Sequence, residues 1–90
     1  MEKTEFYKDL KGSVEFLTGS PCEEWYNAGG SIVLENDYWT VGVKCNRNVV
    51  TLFTKWFGEK GETVVTDFNK GYNGNMVALT AEKIDKFLML

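Results

Sequence analysis

The residues from Ser31 to Phe68 constrain this chain more than any other stretch. They divide into four short runs of apolar alternation, separated by residues that favour tight turns. Such alternation belongs to strands, because successive side chains of a strand point to opposite faces. Asn36-Asp37 tolerates positive φ and suits a two-residue hairpin between Ser31–Glu35 and Tyr38–Cys45. In that register Leu34 faces Trp39 and Ile32 faces Val41. Asn46-Arg47-Asn48 reads as a three-residue loop, which sets Cys45 opposite Val49 and Val41 opposite Phe53. Gly58-Glu59-Lys60-Gly61 then joins Val49–Phe57 to Glu62–Phe68.

These registers sort the side chains into two faces. One holds Ile32, Leu34, Trp39, Val41, Val43, Cys45, Val49, Phe53, Phe57, Val64 and Phe68, and is expected to face the core. The other carries Val33, Tyr38, Val50, Leu52, Trp56 and Val65 among polar residues. That is more apolar than a water-facing antiparallel sheet normally is. A two-residue connection at Arg47-Asn48 changes the assignment. It brings Val50, Leu52 and Trp56 to the core face and turns Phe53 and Phe57 outward, because a slip of one residue reverses a whole strand. Either way Val49–Phe57 is apolar on both sides, which predicts a central position for it.

The flanks read as helix with one strand on each side. Phe6, Tyr7 and Leu10 make a stripe on a helix over Glu2–Lys11, with Gly12 as its stop. Ser13–Thr18 alternates and suggests a strand. Ser20-Pro21-Cys22-Glu23 has the form of a capping box with proline at the first helical position, predicting a two-turn helix that ends at Gly29-Gly30. Asn69–Asn75 is a turn-rich, surface-seeking loop whose glycine spacing matches no phosphate-binding motif. Met76–Leu79 suggests a short strand. Thr80 is expected to cap a last helix bearing Ala81, Ile84, Phe87 and Leu88 on one stripe. Ninety residues allow a single core, so residues 1–90 are read as one domain. The fold class is α+β: a twisted antiparallel β-meander of four to six strands packed with two or three short helices.

The residue inventory argues against catalysis. There is no histidine, the side chain most often used for general acid–base work. The three serines Ser13, Ser20 and Ser31 lie in no recognisable nucleophile motif. Cys22 and Cys45 lack a metal-site spacing and read as buried free thiols. No cofactor, metal ligand set or enzymatic role is therefore expected. No apolar run reaches the roughly 18 residues that span a bilayer, and the first residues lack the basic-then-apolar pattern of a signal peptide. The expected location is cytoplasmic, with no membrane partner.

Charge is uneven along the chain. Residues 1–40 carry eight acids and three lysines, net −5, whereas residues 41–90 are net +2. A pI near 4.9 and a single arginine disfavour nucleic acid as a partner, although aromatics on a sheet can stack bases. The remaining reading is a small, acidic, non-catalytic module that binds another protein. Its profile is that of accessory or inhibitor proteins, including those that phages and mobile elements direct against host defence nucleases. Self-association as a homodimer is the further alternative. Exposed Trp and Tyr are favoured anchors at such interfaces. The candidate partner-binding residues are Tyr38, Leu52 and Trp56 on the second sheet face, and Tyr72 and Asn73 in the turn-rich loop, beside Glu23 and Glu24.

Overall fold

The computed structural model describes residues 2–26, 30–46, 49–53, 60–65 and 73–88. Phe6, Leu10 and Val14 recur every four residues, and Tyr7 lies beside them; all four are buried. That single stripe carries the first helix, α1, from Lys3 to Thr18. It runs through Gly12, where a stop was expected, and through Ser13–Thr18, where a strand was expected. Val14 and Phe16 are not strand partners on one face: Val14 is in the core, whereas Phe16 is 85% exposed. The helix ends at Gly19, which adopts φ +71° and donates its N–H to the Glu15 carbonyl at 3.0 Å. Glycine takes this left-handed conformation without steric cost.

Among the described residues five strands follow: β1 (Glu23–Tyr26), β2 (Ile32–Glu35), β3 (Thr40–Asn46), β4 (Val49–Phe53) and β5 (Lys60–Val65). They form one antiparallel sheet in sequence order, a meander. With α1 and the closing helix α2 (Gly74–Leu88) this defines the α+β class. β3, rather than the strand that follows it, is central in the order.

β1 replaces the two-turn helix expected after Ser20. The Cys22 N–H, which a capped helix would have to satisfy locally, instead donates to the Glu15 carboxylate at 2.8 Å. The next four residues then pair with β2, Trp25 against Val33 and Tyr26 against Ile32. The ladder with β2 thus supplies the hydrogen bonds that a capping box would have supplied.

Two turns set the registers. Between β2 and β3 the connection is four residues long, 36–39, not two. The Asn36 carboxamide oxygen accepts the N–H groups of Tyr38 at 2.8 Å and Trp39 at 3.1 Å, and the Asn36 N–H donates to the Trp39 carbonyl. Leu34 consequently faces Val41, and Ile32 faces Val43. That is a shift of two residues from the expected pairing, so every side chain keeps its face. Between β3 and β4 the two-residue alternative holds: Asn46 pairs with Val49 and Cys45 with Val50. This is a shift of one, so β4 is reversed relative to the three-residue reading. Leu52 turns to the core and is fully buried, while Phe53 sits half-buried opposite Gly42 on the other side. β4 meets β5 with Val50 opposite Val64 and Phe53 opposite Lys60, and the register is broken between Thr51 and Phe53.

Both helices lie on the same sheet face. Phe6, Leu10 and Val14 of α1 and Met76, Val77, Ala81 and Ile84 of α2 join Ile32, Leu34, Val41, Val43, Val50 and Leu52 in one core cluster. α2 begins at Gly74, so Met76–Leu79 is its first turns and not a strand, and Thr80 is an interior residue. Its cap is Asn73, whose side-chain oxygen accepts the Met76 N–H at 3.1 Å. The result is two layers, helices over a sheet. None of the described helices is long and apolar enough to cross a membrane.

Candidate functional site

Four elements converge at one corner of the molecule: the end of α1, the edge strand β1, the end of β2 and the turn before β3. Strand alternation puts Glu23 and Trp25 on the sheet face away from the helices, and Glu24 and Tyr26 on the helix side. Glu23 stands directly opposite Glu35. Like charges in that position repel, and no ion pair relieves them among the described residues. The Trp25 ring, 44% exposed, lies beside them and donates its indole N–H to the Glu35 carboxylate at 3.1 Å. Asp37 and Tyr38 project from the adjoining turn, and Tyr38 is 87% exposed.

A shallow cleft of about 560 Å³ lies between these parts, lined by Pro21, Cys22, Glu23, Glu35, Asn36 and Asp37. Its walls are tied together because the Asn36 amide donates to the Pro21 carbonyl at 3.3 Å. The corner is therefore held by the turn and the sheet ladder rather than by loose side chains. On the helix side of β1, the Tyr26 hydroxyl is held above its ordinary pKa by burial and by the neighbouring Glu24 carboxylate.

Cys22 lines this cleft, and its surroundings favour the neutral thiol. Burial, and then the Glu15 carboxylate, push its thiol up to about 11, with Lys11 opposing weakly. Burial likewise raises the Cys45 thiol, opposed by the neighbouring Tyr7 hydroxyl and Lys3 ammonium. Both cysteines are free, and a thiol is nucleophilic only as thiolate. The fold thus favours the neutral thiol, whereas the unfolded chain ionises near 9.0. The stabilising contribution is complete below pH 9 and is lost as pH rises from there towards 11. Two results are expected. At pH 8 an alkylating reagent should modify the native protein at least ~100-fold more slowly than the urea-unfolded chain. Denaturation midpoints should fall between pH 9 and 11, and Cys22→Ala should remove part of that fall.

The expected partner-binding residues are dispersed differently from the sequence reading. Glu23 lies at this corner next to the turn that bears Tyr38, whereas Glu24 points to the opposite, helix side of β1. Leu52 does not present itself to a partner, because the β3–β4 register buries it under the helices. Asn73 is engaged as the cap of α2. Trp56 and Tyr72 lie outside the described residues. Trp25, Glu35 and Asp37 were not singled out as partner contacts. Reading Glu-Glu-Trp-Tyr as alternation, instead of as one helical turn, would have found Trp25. Among the described residues no group of three metal-binding side chains is arranged around a common point.

The class defined here is a two-layer α+β domain with a five-stranded meander and an acidic, aromatic edge. No protein-family model matches the chain, and no curated protein or solved structure matches it either.

Proposed function

We propose that the chain is a non-catalytic protein-binding module that docks its acidic corner onto a basic surface of a macromolecular partner. One observation carries this reading: Glu23, Glu35 and Asp37 gather beside the exposed rings of Trp25 and Tyr38 at the β1 edge, without an ion pair among the described residues. Carboxylates steer and orient an encounter with a basic surface, while Trp and Tyr supply area that a partner can desolvate. Such a module acts by occupancy. An inhibitor that covers the basic groove of a nuclease is the case this chemistry fits best. Nucleic acid itself is disfavoured, since Glu23 and Glu35 share the outer sheet face with Trp25 and repel phosphate.

The test is capture from host lysate, with mass-spectrometric identification, using the wild type and Glu23→Lys/Asp37→Lys. Both sites are exposed, so the variant should keep its melting temperature within a few degrees. The expected result is a partner with a basic surface, captured at low salt, weakened by salt, and lost from the variant. Equal capture of the same proteins by both forms would remove the acidic corner from consideration.

A further inference from the structure

β1 ends the sheet. Among the described residues no strand pairs with its outer side, and all four of its side chains are exposed. An antiparallel strand turns the N–H and C=O of every second residue away from its neighbour. Half of the β1 backbone groups therefore point outward from the ladder with β2. That ladder is continuous from Glu23 to Tyr26, so no bulge twists the edge away. The strand also holds neither the proline nor the lysine that commonly protects an edge.

The two rings of β1 are drawn back from this seam. Trp25 donates its indole N–H to Glu35 on β2, and the Tyr26 ring packs 6.1 Å from Tyr7 of α1. What remains beside the edge is carboxylate, Glu23 on the outer face and Glu24 on the helix side. Glu23 also stands opposite Glu35, and both line the cleft with Asp37. That cross-strand pair is repulsive as it stands. A cation set beside Glu23 on the outer face relieves it.

We propose that the partner enters as an extended segment that adds a strand to β1, antiparallel, with an arginine beside Glu23 and a second basic residue beside Glu24. The proposal rests on the protein-binding reading above and specifies how the partner is held. Consecutive residues of a strand alternate faces, so two adjacent basic residues reach the two glutamates on opposite sides of the sheet. Arginine suits the Glu23 side, because a planar guanidinium can donate to Glu23 and Glu35 together. Adjacent strands lie about 4.8 Å apart, which brings apolar residues of the segment against the flanks of Trp25 and Tyr26. The ladder supplies attraction that any extended chain can use, and the side chains supply the choice of chain. A second copy of this protein is a poor occupant, since it brings its own glutamates to the same seam.

The probe is the end-blocked peptide Thr-Val-Val-Lys-Arg-Thr, titrated to about 1 mM into isotope-labelled protein. Amide resonances and hydrogen exchange are the readouts. The outward amides of β1 should shift and exchange at least about 10-fold more slowly, and Thr-Val-Val-Glu-Glu-Thr should have no effect. Glu23→Gln should weaken the basic peptide about 10-fold, the worth of one charge-assisted hydrogen bond. Two N-methylated peptides separate a ladder from charge attraction. Methyl groups on the first valine and the lysine, or on the second valine and the arginine, keep the charge and remove alternate donors. One form should lose at least about 10-fold in affinity and the other stay within about 3-fold. No binding of the basic peptide, or equal binding of the two methylated forms, overturns strand addition. So does protection of the same amides when the protein alone is concentrated, which assigns the edge to a second copy. The acidic corner is judged separately: a basic partner captured by the wild type and lost from Glu23→Lys/Asp37→Lys keeps that reading, even where the methylated peptides bind alike.

Discussion

Leu52→Asp is expected to abolish folding, while Thr51→Glu, one residue away, is expected to leave stability within about 1 kcal/mol. Leu52 is fully buried against the helices. Removing a buried leucine side chain costs about 2–5 kcal/mol, and an unpaired carboxylate in its place adds several more. Their sum reaches the whole stability of a domain of this size, about 5–10 kcal/mol at the usual value per residue. Thr51 points the other way, with Lys44 as its cross-strand neighbour, so a glutamate there finds an opposite charge. Circular dichroism melts of the two variants decide the matter. If Thr51→Glu unfolds the protein and Leu52→Asp does not, β4 runs in the other register and the core described above is wrong.

The second large effect is expected at Tyr7, which ties α1 to the sheet. Its ring is buried, packs at a tilt 5.9 Å from Phe6 and 6.1 Å from Tyr26, and lies 5.7 Å from the Lys3 ammonium. Its hydroxyl donates to the Gly30 carbonyl at 3.4 Å. Tyr7→Ala should cost about 3–5 kcal/mol, as truncating a large buried aromatic does. Tyr7→Phe keeps the ring and should cost only about 1 kcal/mol, the worth of one hydrogen bond. Urea denaturation of the pair separates packing from polarity. Equal losses for both variants would mean that the hydroxyl, and not the ring, holds α1 in place.

The sequence disclosed the middle of the sheet well and its margins poorly, and the reasons are physical. Alternation placed Ile32, Leu34, Val41, Val43 and Cys45 on the core face, and they are there. The β2–β3 pairing was misjudged by two residues without consequence, because the Asn36 side chain lengthened the turn by an even number. The β3–β4 pairing differed from the three-residue reading by one, and that moved Leu52, Val50 and Phe53 to opposite faces. Turn length between Cys45 and Val49 is set by backbone geometry that residue types leave open.

Local signals also lost to tertiary ones. Gly12 looks like a terminator, yet burial of Val14 four residues beyond Leu10 carries α1 through it. The Ser20–Glu23 capping box is locally sound, but pairing with β2 offered Trp25 and Tyr26 a complete ladder. The candidate site inherited both outcomes. Glu23, Glu24 and Tyr38 were legible as charged or aromatic surface. The placing of Glu23 and Tyr38 beside Trp25, Glu35 and Asp37 depends on β1 being a strand, which no short-range pattern states.

The first and last elements of the fold, α1 and α2, pack on each other and share one core. Hairpins between them can pair as soon as each is made, because their contacts are close in sequence. The amphipathic stripe of α1 has to wait until α2, Gly74–Leu88, has left the ribosome before its neighbour exists. A nascent chain halted before residue 74 would carry Phe6, Leu10 and Val14 without their helical counterpart, an adhesive species that chaperones would recognise.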